Sequence, residues 1–170
     1  MKFVFVAAAL AAAVSVAAPA VAQPLDPWSA RLLAAHNRER SRMAVAPLRW
    51  DSALAASAAA YGPALARLGR LQHSPRAVRP GQSENLWMGT RGAFSPEQMV
   101  GNWLSERRHF RGGTFPFVST TGNWMDVAHY TQMIWSGTTA VGCAVHSTYR
   151  YDYLICRYSP RGNIDGRRVG

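Results

Sequence analysis

Lysine is all but missing from this chain: Lys2 is the only one, and every other basic residue is arginine. Acidic residues are also few, nine against nineteen basic ones, which leaves a formal net charge of +10. Such an excess favours contact with anionic surfaces. The arginines nevertheless run from Arg31 to Arg168 without a long block, and no motif interleaves them with aromatics, which argues against a dedicated nucleic-acid site. Cysteine is scarce too. Cys143 and Cys156 alone cannot make a disulfide-dense scaffold, so a hydrophobic core has to hold the fold. No internal repeat and no low-complexity linker interrupts the chain. A composition that is 48% hydrophobic, with six tryptophans, excludes a disordered one.

The long apolar run is confined to the N-terminus. Met1 and Lys2 precede Phe3 to about Ala18, followed by Pro19 and the small-x-small triplet Ala20-Val21-Ala22. That pattern is expected to be a signal peptide over residues 1–22, cleaved before Gln23, with residues 23–170 as one domain. Nothing after it is long and apolar enough for a helical membrane span. The expected location is secreted or periplasmic.

Local signals place helices first and a hairpin last. Trp28 to Arg40 carries one apolar face. Asp51 is positioned to cap an alanine-rich helix through Leu54 and Ala58 to Tyr61, and Gly62-Pro63 predicts a kink or break there. Ser95-Pro96-Glu97-Gln98 is a helix start with a capping box. A shorter helix is predicted over Val127 to Trp135, then strands over Ala140 to His146 and Tyr151 to Tyr158. A tight turn at Tyr149-Arg150 would set Cys143 opposite Cys156, within disulfide reach.

His73, Glu84, Glu106 and His129 stand out because the segments around them otherwise read as interior. Met99, Trp103, Glu106 and Phe110 recur at helical spacing, so a carboxylate falls on an apolar stripe. An unpartnered carboxylate there would cost several kcal/mol or take up a proton, so it requires a partner. Imidazole plus carboxylate is a ligand set for divalent metals, and equally a pair that hydrogen-bonds within a core. His36 with Asn37 is expected to be a structural core pair. His109 and His146 are expected to be solvated, and Trp87, Trp103 and Trp135 to be packing residues.

Several ordered motifs carry a resemblance. They are His36-Asn37-Arg38-Glu39-Arg40, Leu48-Arg49-Trp50, His73-Ser74, Glu84-Asn85-Leu86-Trp87, Trp103 to Glu106, His129-Tyr130-Thr131-Gln132-Met133-Ile134-Trp135, Val141-Gly142-Cys143-Ala144 and Cys156 to Asn163. Together they resemble the CAP superfamily, which takes in cysteine-rich secretory proteins, antigen five and plant pathogenesis-related group-one proteins (the SCP domain). The resemblance implies an α+β fold, a three-layer α-β-α sandwich with a small, mostly antiparallel sheet. It also implies a cleft lined by His73, Glu84, Glu106 and His129. Ser83 stands where the family commonly has glycine before the glutamate, and Ala128 where it commonly has glycine or a charged residue before the histidine.

Function follows less directly, since one fold serves many chemistries. One expectation is a non-catalytic binding module with a divalent metal, zinc first, on His73 and His129, and Glu84 and Glu106 in or behind the ligand shell. A sterol or fatty acid would bind elsewhere on it. A second is a metal-dependent hydrolase acting on peptide, nucleic acid or envelope polymer, with the metal activating a water. A third is a precursor releasing a C-terminal peptide, Pro160 to Gly170.

Overall fold

The computed structural model describes residues 24–170, so the expected leader lies outside the described residues. Asp26 caps α1 (Pro27–Arg42), its carboxylate accepting the amides of Trp28 and Ser29, with Pro27 in the first turn. A short strand β1 (Arg49–Trp50) leads into α2 (Ser52–Leu68), capped by Asp51 as expected. The break expected at Pro63 does not occur, because α2 runs through it to Gly69, whose left-handed φ of 62° ends the helix. Pro63 and Ala59, whose carbonyl lacks its helical partner, are both exposed. Leu54, Ala58, Gly62 and Leu65 on the other face are buried and hold the helix to the sheet.

A 3₁₀ turn (Arg76–Val78) precedes β2 (Ser83–Thr90). Helix α3 (Pro96–Ser105) starts at the expected capping box of Ser95 and Gln98 and tightens into a 3₁₀ turn at Glu106–His109. The α-helix therefore stops one residue before Glu106 rather than carrying it. Strand β3 (Gly113–Thr114), a 3₁₀ turn (Trp124–Val127) and α4 (Ala128–Met133) follow. Strands β4 (Ala140–Ser147) and β5 (Tyr151–Ser159) form the hairpin, and β6 (Arg168–Val169) pairs with β3.

The sheet order is β1-β4-β5-β2, with β1 parallel to β4 and the other pairs antiparallel. The hairpin has the expected register, Cys143 opposite Cys156, and the two are disulfide-bonded. Its Tyr149-Arg150 turn is closed by the Thr148 hydroxyl, which accepts the Tyr151 amide at 2.9 Å. Strand β5 is buried on both faces, which makes the three layers visible. Leu154, Cys156 and Tyr158 pack with Leu32, Met99 and Trp103 from α1 and α3, while Tyr153 and Ile155 pack with Ala58 and Leu65 of α2. A third cluster, including Phe115, Tyr130, Trp135 and Val169, fills the loop-rich end beside α4. A side chain at Gly142 would collide with the backbone of Asp51 and Ala55, so glycine lets the start of α2 sit directly on β4.

Candidate functional site

The site is organised by two adjacent residues at the start of β2. Successive strand side chains leave on opposite faces, so Glu84 faces the α2 side and Asn85 the α3–α4 side. Glu84 accepts the His73 Nδ1–H at 2.7 Å and the Ser74 amide at 3.0 Å through Oε1, and the Ser74 hydroxyl at 3.1 Å through Oε2. Arg157, directly across the ladder on β5, places a guanidinium nitrogen 3.3 Å from Oε2. Desolvation acts to raise the Glu84 pKa. The hydrogen bond from His73, the Arg157 charge and the Ser74 amide outweigh it and hold the carboxyl below its ordinary value.

The second pair is built differently. Glu106 Oε1 accepts the His129 Nδ1–H at 2.5 Å, and Oε2 accepts the amides of His129 and Tyr130 at 3.0 Å each. Glu106 thus caps α4, whose own N-cap residue Val127 supplies no side-chain bond. The indole of Trp103 lies nearly parallel to the His129 ring, 11° off with centroids 6.0 Å apart. Asn85 Nδ2 holds the His129 carbonyl at 3.1 Å and the Tyr158 hydroxyl at 3.2 Å. The Tyr158 hydroxyl in turn donates to His36 Nε2 at 2.8 Å, and His36 Nδ1–H donates to the Leu32 carbonyl at 2.8 Å. Burial lowers the His36 pKa to about 4, so that ring is a neutral relay between α1 and the site.

The four expected residues therefore come together as two His–Glu pairs rather than one mixed cluster. His73 and His129 line one cleft of about 520 Å³, together with Arg76, Arg79, Phe115, Trp124 and Arg161; Glu84 also reaches it, and Glu106 stands behind His129. The expectation of interior positions holds unevenly. The His73 side chain is 55% exposed and Glu84 fully covered, while His129 and Glu106 are 32% and 18% exposed. No group of three or more His, Cys, Asp or Glu residues converges to hold an ion among the described residues. In both pairs Nδ1 is tied to a carboxylate, so the remaining ring nitrogen is Nε2, a lone-pair donor in the neutral ring.

Ser83 and Ala128 need no glycine. Ser83 lies within β2 and its hydroxyl accepts the Gly162 amide at 3.2 Å, and Ala128 has ordinary helical angles. The C-terminal segment also belongs to the cleft. Gly162 donates to Gln132 Oε1 at 3.0 Å, and Asn163 Nδ2 donates to the Ala128 carbonyl at 2.9 Å. A side chain at Gly162 would meet Gln132 and Trp135. His36 and Asn37 are both structural, each with its own partners; Asn37 brackets the Leu48 backbone with two bonds. Trp87, Trp103 and Trp135 are buried, and Trp103 also flanks the site.

A family model described as the cysteine-rich secretory protein family, CAP, matches residues 33–158. The chain belongs to the CAP family. It is 34% identical over 135 residues to a pathogenesis-related protein of PR-1 type from Sambucus nigra, spanning 79% of this chain and 77% of the relative. Pathogenesis-related protein 1 of Arabidopsis thaliana is 32% identical over 163 residues, covering 95% and 91% of the two chains. The crystal structure of NaASP2 with Zn2+ superposes with a TM-score of 0.70 at 24% identity over 86% of this chain and 90% of that one, a likeness of fold. No described helix of this CAP protein is long and apolar enough to cross a membrane.

Sequence reading missed the supports of the site: Ser74, Asn85 and Arg157. Arg157 had a signal, a lone charge inside the otherwise apolar run Tyr153-Leu154-Ile155-Cys156 and Tyr158, which requires a buried counter-charge. Asn85 had one too, as the neighbour of Glu84 in a strand.

Proposed function

We propose that this chain is an exported CAP-domain binding protein whose cleft holds a divalent metal, zinc first, on His73 and His129. The observation that supports this reading is the matched pair of carboxylate–imidazole bonds in one cleft. Each fixes the tautomer that keeps Nε2 available and raises its basicity, the usual arrangement behind a metal-bound histidine. The donor set fits two imidazole ligands, with solvent or a ligand group completing the shell. Glu84 and Glu106 fit as orienting groups, because all four of their oxygens are already engaged. Bound there, zinc would act as a Lewis acid toward whatever enters the cleft. The leader expected over residues 1–22 supports export, and the zinc in the NaASP2 crystal structure supports the choice of metal.

A lipid such as a sterol or fatty acid is the second part of this proposal; rather than binding away from the metal, as expected, it would share this cleft, supported by the exposed apolar surface of Trp124 and Met125 on its wall. Hydrolysis is the less favoured reading. Its general base would have to be Asp165, the cleft-lining carboxylate with no hydrogen bond or ion pair among the described residues. A released C-terminal peptide is less favoured again, since Pro160–Gly170 contributes Gly162 and Asn163 to the cleft and Val169 to a core cluster. Zinc titration calorimetry tests the metal. Wild type should bind, and His73→Ala and His129→Ala should each weaken binding by at least about tenfold. Equal affinity in all three would remove the site.

A further inference from the structure

Arg161 also lines a second cleft, of about 420 Å³, between the turn that follows α4 and the C-terminal segment. Trp135 and Gly137 come from the turn, and Pro160, Ile164, Arg167 and Arg168 from the C-terminal segment. Neither histidine of the first cleft lines it, and neither does any carboxylate among the described residues. Backbone bonds hold the two walls in place. The Thr138 hydroxyl donates to the Pro160 carbonyl at 2.9 Å, the Arg167 carbonyl accepts the Phe115 amide at 2.9 Å, and Arg168 pairs with Thr114 in the β3–β6 ladder. The fold thus places the three arginines together although their side chains are exposed.

Two independent observations point to a ligand here. The first is charge without a counter-charge. Arg161, Arg167 and Arg168 form no ion pair among the described residues, whereas Arg31, Arg49, Arg107 and Arg157 all do. Three like charges on one small cleft favour an anion between them. The second is an indole without an acceptor. Trp135 is only 4% exposed, so its N–H should be bonded, as that of buried Trp103 is to the Leu86 carbonyl at 3.1 Å. Its Nε1–H has no acceptor among the described residues, yet the nitrogen is not sealed from the surface. A Cβ at Gly137 would stand 3.3 Å from it, so glycine at 137 leaves the approach to that nitrogen open.

The donor set suits phosphate better than carboxylate, since a tetrahedral dianion has three terminal oxygens to share among three guanidinium groups and an indole N–H. Pro160 and Ile164 add apolar surface for a small organic remainder, and the volume lies in the small-molecule range. We propose that this second cleft binds a phosphate dianion, as a small monoester or as the free ion, through Arg161, Arg167, Arg168 and the Trp135 indole N–H. The inference rests on neither the metal nor the lipid.

Glycerol 3-phosphate is the direct probe, titrated by calorimetry in chelator near neutral pH, where a phosphate monoester carries a charge of about −1.5 to −2. Glycerol supplies the remainder without the charge, and should not bind. Arg167→Gln/Arg168→Gln should weaken glycerol 3-phosphate by at least about tenfold, while Arg76→Gln, in the first cleft, should leave its affinity unchanged. Both substituted arginines of the double variant are exposed, so the fold should survive. Tighter binding of glycerol 3-phosphate than of inorganic phosphate would support an ester as the source, and equal binding the free ion. Proton–nitrogen spectra of the six indoles report the site directly. Gly137→Ala assigns the Trp135 signal, because its methyl group stands beside Nε1. That signal should be displaced most when glycerol 3-phosphate is added to the wild type, and should stay in place in the double variant. Equal affinity of wild type and double variant, loss of binding in Arg76→Gln instead, or an unmoved Trp135 signal would overturn the proposal.

Discussion

The two histidines of the cleft are held in the same way at Nδ1 and in opposite ways everywhere else. His73 is an exposed ring on a loop, and the rigid partner is its carboxylate: Glu84 is fully covered and matched by the equally buried Arg157. His129 is the rigid ring, stacked on Trp103 and carried by a helix, and its carboxylate is balanced by two backbone amides rather than by a cation. One half puts its free energy into a buried ion pair, the other into a helix cap. Equivalent substitutions in the two halves should therefore have unequal effects on stability.

The largest effect is expected on the His73 side. Arg157→Met leaves Glu84 buried without a cation, and should cost about 3 kcal/mol or more in urea denaturation, because an uncompensated buried charge is what makes such pairs expensive to break. Adding Glu84→Gln should recover part of that loss. A double variant no more stable than Arg157→Met would mean that the ion pair is not what Arg157 supplies.

Acid separates the halves next. His36 supports the His129 side and is buried neutral with a pKa of about 4 against 6.5 when unfolded, so below 6.5 the unfolded chain takes up a proton that the native one refuses. The His36 contribution should fall as pH drops from about 6.5 to about 4 and be constant below, a loss of about 3 kcal/mol in total. His36→Phe should flatten that window. Glu84 runs the same way but later: its pKa is depressed on folding, so its contribution is full above the ordinary carboxylate value of 4.5 and disappears as pH falls through the lower native value. Denaturation midpoints across both windows check the order. A wild-type curve flat between 6.5 and 4 would contradict it.

A smaller loss is expected for Glu106→Gln, about 1 to 2 kcal/mol, since the amide keeps an acceptor for the α4 amides but gives up the charge. Thermal melts in chelator measure it. A loss as large as that of Arg157→Met would place a buried charge pair on this side as well.

Legibility in the sequence followed the range of the interactions. Asp51 and the Ser95–Gln98 box act within one helical turn, so both caps could be read directly. The hairpin was legible because a turn at Tyr149-Arg150 sets Cys143 opposite Cys156, the pairing the ladder and the disulfide both have. Strand β2 escaped because both its faces are buried, which erases the alternation a half-exposed strand shows. Its buried polar residues, Glu84 and Asn85, are satisfied by partners from residues 73, 74, 129, 157 and 158. The parallel pairing of β1 with β4 is equally non-local. Helical spacing put Glu106 on the correct face of α3, but the chain tightens to 3₁₀ at that residue, and its partners lie more than twenty residues ahead. Proline at residue 63 misled because its cost falls on an exposed face while Leu54, Ala58, Gly62 and Leu65 anchor the other.

In the proposed metal site each carboxylate holds Nδ1, which would leave Nε2 for a zinc ion. Long-range proton–nitrogen correlation spectra of the imidazole rings, assigned with the His73→Ala and His129→Ala variants, report both nitrogens separately. The expected result is a proton on Nδ1 of both rings in chelator, with the Nε2 resonances of His73 and His129 alone displaced when zinc is added. Protonated Nε2 in the metal-free protein, or zinc that displaces neither ring, would contradict it.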